Sequence, residues 1–189
     1  RREGVHLMNA SNTSSLELRR EVAARIWTYQ PTELLQLSAQ IFEKIERDPH
    51  FIQAQVVLLY YSLPNEVNTH SFIRQWYQRK TILLPKVVGE QLSLHPYTGP
   101  GSTQKGAYGI DEPVTPPVEH PKIDLALVPG VAFDSFGHRL GRGKGYYDRL
   151  FAQLDDNIYK IGLAFPLQMV ELVPTDEYDV KMDAVCTSD

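Results

Sequence analysis

The run His138-Arg-Leu-Gly-Arg-Gly-Lys-Gly-Tyr-Tyr-Asp-Arg149 carries the densest chemistry in the chain. Gly141, Gly143 and Gly145 alternate with Arg142 and Lys144, after an apolar strand at 125–128 and ahead of a helix expected over 146–154. Glycine accepts positive φ and lets backbone N–H groups approach a ligand with no Cβ in between. Free N–H groups at a helix start, with Arg139, Arg142, Lys144 and Arg149 around them, form a site for a compact anion. The glycine spacing fits neither the P-loop nor the dinucleotide fingerprint. A phosphate cradle suits this pattern, and a basic strand-to-helix turn without a ligand has the same composition. Asp148, in the first helical turn, can hold Mg²⁺ against phosphate oxygens or simply complement the helix dipole. Tyr146 and Tyr147 can flank a flat ligand or pack the helix onto a sheet.

Other side chains with chemical potential lie at strand ends and in loops. Glu66 follows a central strand, where a carboxylate can accept paired N–H donors from a heterocycle or remain a solvated loop acid. Asp179 and Asp183 sit in an acidic turn from which either can share a metal with Asp148. Gly130 follows the strand at 125–128 and permits close ligand approach, while Phe133 is expected in the core. Tyr108, in a long loop, can close over a flat substrate or anchor packing. No nucleophile elbow or catalytic triad emerges. Positioning and electrostatics around phosphate are therefore the expected chemistry. At an effective dielectric near 20, one cation about 4 Å from a phosphate charge is worth roughly 4 kcal/mol before desolvation. Several cations together suit a triphosphate.

The chain as a whole narrows the classes. Its 189 residues carry a formal net charge of −4, so a basic segment confined to one loop points to a small polyanion and away from nucleic acid. One cysteine, Cys186, excludes an internal disulfide and suits a reducing cytosol, and the six histidines show no zinc-ligand spacing. The longest apolar run, 56–61, is too short for a membrane span, and no signal peptide is visible. The expectation is one cytoplasmic domain over 8–189, a monomer acting on small molecules, with residues 1–7 ahead of Met8 left out.

The elements that must position these residues follow from periodicity. Ser14 and Glu17 suggest a capping box before a helix with Leu18, Val22 and Ile26 on one face. A second helix is expected from Thr32 to before Pro49, on a stripe of Leu34, Ser38, Ile41 and Ile45. Continuous apolar runs at 55–61, 81–84 and 125–128 suit strands buried on both faces. A helix is expected at 69–78, through Phe72, Ile73 and Trp76. A hairpin of 87–88 with 92–94 turns at Gly89-Glu90, and further strands are expected at 159–165 and 184–187. Residues 96–121, rich in glycine and proline, predict little regular structure. Alternation of strands and helices gives an α/β class: a mostly parallel, Rossmann-like sheet with helices on both faces, three layers in all. Ligands bind beyond the carboxyl ends of such strands, which gathers 63–66, 129–133 and the glycine loop on one rim.

These motifs together resemble the 5-formyltetrahydrofolate cyclo-ligase family. The resemblance rests on Leu-Val-Pro-Gly-Val-Ala-Phe-Asp at 127–134, the glycine–tyrosine run at 139–149, and Asn65-Glu66. It extends to Gly-Ile-Asp-Glu-Pro at 109–113, Ala164-Phe165 with Gln168, and 174–183. It implies ATP and Mg²⁺ as co-substrate and cofactor, with 5-formyltetrahydrofolate as substrate. It also implies roles. Arg19, Arg139, Leu140, Gly141, Arg142, Gly143, Lys144, Gly145, Tyr146 and Tyr147 would surround ATP, with Arg142 and Lys144 acting on the migrating phosphoryl group. Asp148 and Asp179, in preference to Asp183, would hold Mg²⁺. Glu66 would grip the pterin, with Tyr61, Tyr108 and Tyr146 also on the substrate side. Two positions depart from the family pattern. Ser15 stands where a phosphate-binding lysine is usual, with Arg1, Arg2 and Arg20 as nearby cations, and Tyr61 replaces a smaller aliphatic residue.

Overall fold

A computed structural model describes residues 14–155 and 157–189, the side chain of Tyr108 excepted. The apolar runs form a six-stranded sheet. Its strands in chain order are β1 (Val56–Leu58), β2 (Thr81–Val88), β3 (Gln91–Pro96), then, after one short pair described below, β6 (Leu125–Val128) and, after a second, β9 (Tyr159–Leu163) and β10 (Ala184–Cys186). In space they run β10-β9-β6-β1-β2-β3, all parallel except the β2–β3 hairpin.

Alternate residues of each strand enter different cores, as a period of two requires. Val57, Leu59, Ile82, Leu84, Leu125, Leu127, Ile161 and Leu163 face one layer. That layer comes from α2 (Pro31–Arg47), α3 (Pro49–Gln53) and α4 (His70–Trp76), through Ile41, Phe42, Ile45, Phe51, Phe72 and Ile73. Leu58, Leu83, Ala126 and Val128 face the other layer, against Leu150 and Phe151 of α5 (Tyr146–Gln153). Each fully buried Leu or Ile contributes roughly 1.5–3 kcal/mol. The expected three-layer α/β class is therefore present, with helices on both faces.

Helix α1 (Ser15–Ile26) joins the first layer only at its end, through Ile26. Ser14 caps it by accepting from Glu17 N at 3.2 Å, and its Leu18 and Val22 pack on Ala132, Leu140, Val170 and Val173. Ala132 and Leu140 belong to a pair that the sequence did not disclose, β7 (Ala132–Phe133) with β8 (Arg139–Leu140). The first helix thus lies over the entry to the glycine run.

Four expectations need correction. The strand expected at 55–61 stops pairing early: Leu59 N still donates to Leu83 O at 2.9 Å, but Thr69 Oγ1 then captures the Tyr60 carbonyl and accepts from Ser62 N. Those side-chain bonds replace the ladder and turn the chain out of the sheet. The segments at 81–84 and 87–88 are one strand, running through Pro85. β1 pairs only with Thr81–Leu83, so the missing proline N–H falls beyond the span that β1 needs. Residues 96–121 are more regular than expected, because β4 (Thr103–Lys105) and β5 (Asp111–Pro113) pair antiparallel around a 3-10 turn with Gly109 at φ 71°. Finally, the short helix α3 stands between α2 and β1, where no element was expected.

The strand order places a switch point at β1. The chain leaves β1 for β2 on one side and, after β3, returns to β6 on the other. A crevice beyond the carboxyl ends follows at that point.

Candidate active site

At this crevice the loop after β1, the loop after β6 and the glycine run enclose a cleft of about 890 Å³. Arg19, Tyr61, Glu66, Asp179 and every residue from Arg139 to Asp148 line it. These are the residues the sequence singled out, apart from Tyr108, whose side chain lies outside the described residues.

Gly145 caps α5 in the left-handed region (φ 68°, ψ 18°). An L side chain there would cost about 1–2 kcal/mol, and its Cβ would lie 2.9 Å from Arg149 Nη1. The first turn of α5, Tyr146 to Asp148, lines the cleft, where its unpaired N–H groups suit an anion.

The cations of the run divide by environment. Arg149 lines the cleft too, but it donates through Nε and Nη2 to the Glu90 carbonyl, tying α5 to the β2–β3 turn. Arg139 Nε donates to Pro129 O at 2.6 Å, and the guanidinium lies 5.0 Å over the Tyr147 ring. Burial pulls Arg139 below its ordinary pKa, and Tyr147, Asp148, Asp179 and Glu66 oppose that shift. Arg142 and Lys144 are exposed to the cleft. A further cation comes from 122 residues away: Arg19 Nε donates to Gly141 O at 2.7 Å. Its guanidinium carbon lies 3.5 Å from where a Cβ on Gly143 would stand. Ser15, one helical turn earlier, also lines the cleft, while Arg20 is exposed and points elsewhere. Arg1 and Arg2 lie outside the described residues.

Glu66 faces this cationic side. Its side chain is only 16% exposed and its Oε2 lies 3.8 Å from Arg142 Nη2. Oε1 accepts from Leu63 N at 2.8 Å, which fixes the carboxylate within a tight turn. Burial raises its pKa, with the Leu63 N–H, Arg142 and Arg139 acting against the rise. A solvated loop acid would not show that environment. Tyr60 beside it is buried, its hydroxyl donating to Val67 O at 3.1 Å.

Asp148 and Asp179 meet on the remaining wall. Asp148 Oδ1 accepts from Val180 N at 3.1 Å, and Asp179 Oδ2 from Asp176 N at 2.9 Å. Asp179 is pushed up in pKa by burial first and by the charges of Asp148 and Asp176, the Asp176 N–H opposing. A divalent cation relieves such crowding of like charge. No third His, Cys, Asp or Glu joins them among the described residues, and Mg²⁺ needs only one or two protein carboxylates beside phosphate and water oxygens. The pair fits that ion. Asp183, the rival candidate, instead accepts from Lys160 N at 2.8 Å and pairs with Lys160 Nζ at 3.8 Å, holding β10 to β9.

One glycine serves packing as well as the cleft. A Cβ on Gly130 would stand 2.7 Å from the Phe133 ring, so this glycine is demanded by packing as well as by the cleft it lines. Phe133 is fully buried, in the core as expected. The sequence also missed Lys86, Val87 and Leu92 of the β2–β3 hairpin, and the 76% exposed Tyr178, all of which line the cleft. Nothing in their local pattern sets them apart from ordinary surface positions.

Comparison with known proteins agrees with the motifs. A model of the 5-formyltetrahydrofolate cyclo-ligase family matches residues 11–188. The 5-formyltetrahydrofolate cyclo-ligase of Mus musculus is 28% identical across 94% of this chain and 95% of its own length. That of Escherichia coli K12 is 30% identical across 83% and 91%. The solved structure of Aquifex aeolicus 5,10-methenyltetrahydrofolate synthetase is 35% identical, with a TM-score of 0.82 over 92% of this chain and 89% of that one. With the glycine run, Glu66 and the α/β crevice occupying a single cleft, the chain is an enzyme of the 5-formyltetrahydrofolate cyclo-ligase family.

Proposed function

We propose that residues 8–189 act as one domain that converts 5-formyltetrahydrofolate to 5,10-methenyltetrahydrofolate, driven by ATP and dependent on Mg²⁺. The formyl oxygen attacks the γ-phosphorus as the bond to the β-phosphate oxygen breaks, releasing ADP and leaving an N5-iminium phosphate. N10 adds to the activated carbon and gives up its proton. The carbon–oxygen bond then breaks, and phosphate departs with the former formyl oxygen.

Arg19, Arg139 and the backbone from Leu140 to Tyr147 embrace ATP. Arg142 and Lys144 act on the migrating phosphoryl group, whose charge spreads over its oxygens in the transition state. Asp148 and Asp179 hold Mg²⁺, which neutralises phosphate charge. Glu66 accepts the paired N–H donors of the pterin, beside Tyr61 and Tyr146, with Tyr108 on the same side.

The observation that carries this reading is the position of Glu66 opposite the phosphate-binding cations. Its carboxylate stands 3.8 Å from Arg142, so a heterocycle gripped by Glu66 would share one cleft with the cations of the loop. The test is the absorbance of the methenyl-folate product, followed with purified protein, 5-formyltetrahydrofolate, ATP and Mg²⁺. A rise requiring all three additions supports the ligase. Binding of ATP and folate without that rise replaces it with a non-catalytic binding module, to which Ser15 is the pointer.

A further inference from the structure

We propose that His70 is a positioning residue for substrate recognition: it braces the Tyr61 ring that forms part of the pterin wall. This rests on the folate reading of the site. Tyr61 lines the cleft, whereas His70 stands behind it and does not. The two rings stack with centroids 3.9 Å apart and planes 22° from parallel.

Both ends of the imidazole's support are defined. His70 is the first residue of α4, and its backbone N–H donates to Asn68 Oδ1 at 3.0 Å. Its Nε2 lies 2.8 Å from the Ser62 carbonyl. A carbonyl only accepts, so Nε2 carries the proton and the tautomer is set. Burial lowers the imidazole pKa, Arg74 and Lys105 push the same way, and the Ser62 bond and Asp111 oppose. A neutral, flat ring therefore lies against the tyrosine.

The bond to Ser62 belongs to a larger clasp. Ser62 and Thr69 exchange bonds, Thr69 N donating to Ser62 Oγ at 2.9 Å and Ser62 N to Thr69 Oγ1 at 3.2 Å. Glu66 lies within the loop so closed, and Tyr61 immediately precedes it, between the Tyr60 carbonyl that Thr69 Oγ1 holds and Ser62. Tyr61 has left the sheet ladder, so no strand pairing holds its ring. The stack on His70 supplies that restraint, and an aromatic pair of this kind is a matter of geometry as well as area.

The experiment measures 5-formyltetrahydrofolate and ATP binding, with steady-state rates, for wild type, His70→Ala, Tyr61→Leu and the double variant. His70→Phe retains a stacking ring without the Ser62 bond. His70→Ala should raise folate Kd and KM about three- to tenfold, leaving ATP Kd and kcat unchanged. His70→Phe should recover most of the loss. In the Tyr61→Leu background the same His70→Ala change should add nothing, because the residue acts through Tyr61.

An equal folate penalty with and without Tyr61 would overturn the proposal, as would a parallel loss of kcat and ATP affinity, which marks general disruption. If His70→Ala does not fold, His70→Phe decides: wild-type folate Kd upholds the brace, and a loss matching Tyr61→Leu sinks it. Failure of the underlying folate reading looks different, since the wild type itself would then not bind 5-formyltetrahydrofolate.

Discussion

The two sides of the cleft are built by opposite means. The glycine run exposes charge: Arg142 and Lys144 stand in solvent, and a left-handed Gly145 leaves the N-terminus of α5 open. The loop after β1 encloses charge: Glu66 is mostly buried, held by Leu63 N and clasped between Ser62 and Thr69. Exposed cations suit a ligand that brings its own high charge and must leave again, since their field acts without a large desolvation cost. A buried carboxylate suits a neutral heterocycle, because its paired hydrogen bonds strengthen where water is excluded. On the proposed reading, the cationic side is built for rate and the Glu66 side for recognition.

Lys144→Ala should break the rate side most severely. A lost cation at the migrating phosphoryl group lowers kcat by about a hundred- to a thousandfold, with folate Kd near wild type, as single-turnover and binding measurements would reveal. Unchanged kcat would remove Lys144 from the chemistry.

Glu66→Gln tests the converse, with folate Kd rising about ten- to a hundredfold while ATP affinity holds. The raised pKa of Glu66 also fixes a pH signature. The folded state holds that proton more tightly than the unfolded chain, so the ionised carboxylate lowers stability as pH rises from the ordinary carboxylate value through the raised one. Thermal denaturation should accordingly find Glu66→Gln more stable than wild type above that window and equal below it. Folate binding needs the ionised form, so it should weaken on acidification at a higher pH than an ordinary glutamate allows.

Asp179→Asn sharpens the boundary between the sides. Mg²⁺ affinity, read by titration in the presence of ATP, should fall roughly five- to tenfold, a partly exposed charge being discounted for solvent. Since burial and Asp148 raise the Asp179 pKa, the Mg²⁺ requirement should steepen as pH falls through that raised value.

The smallest change is expected from Ser15→Lys. Ser15 lines the cleft one helical turn before Arg19, and a cation there should lower the ATP KM about threefold. No change in ATP KM would show that Arg19 and the loop already saturate the phosphate side.

Much of this could be read along the chain. The faces of α1 and α2, the buried strands and the glycine run follow from local spacing, because helix and strand periods are properties of consecutive residues. The rim followed as well, since an alternating α/β order forces a crevice beyond the strand ends. What remained hidden was the fate of individual charges. Arg139 and Arg149 look the same in sequence as Arg142, yet Pro129 O anchors the first by Nε and Glu90 O anchors the second, the latter partner 59 residues away. The β4–β5 and β7–β8 pairs were hidden too, because two- and three-residue strands leave no periodic trace.

The order of amino acids by itself therefore determined the class of fold, the basic glycine run and the family to which the chain belongs. Only the tertiary structure decided which cations backbone carbonyls pin, that Lys160 engages Asp183, and that His70 backs Tyr61. Spacing sets which residue types share an element, whereas the availability of a polar group depends on partners that folding brings from distant segments.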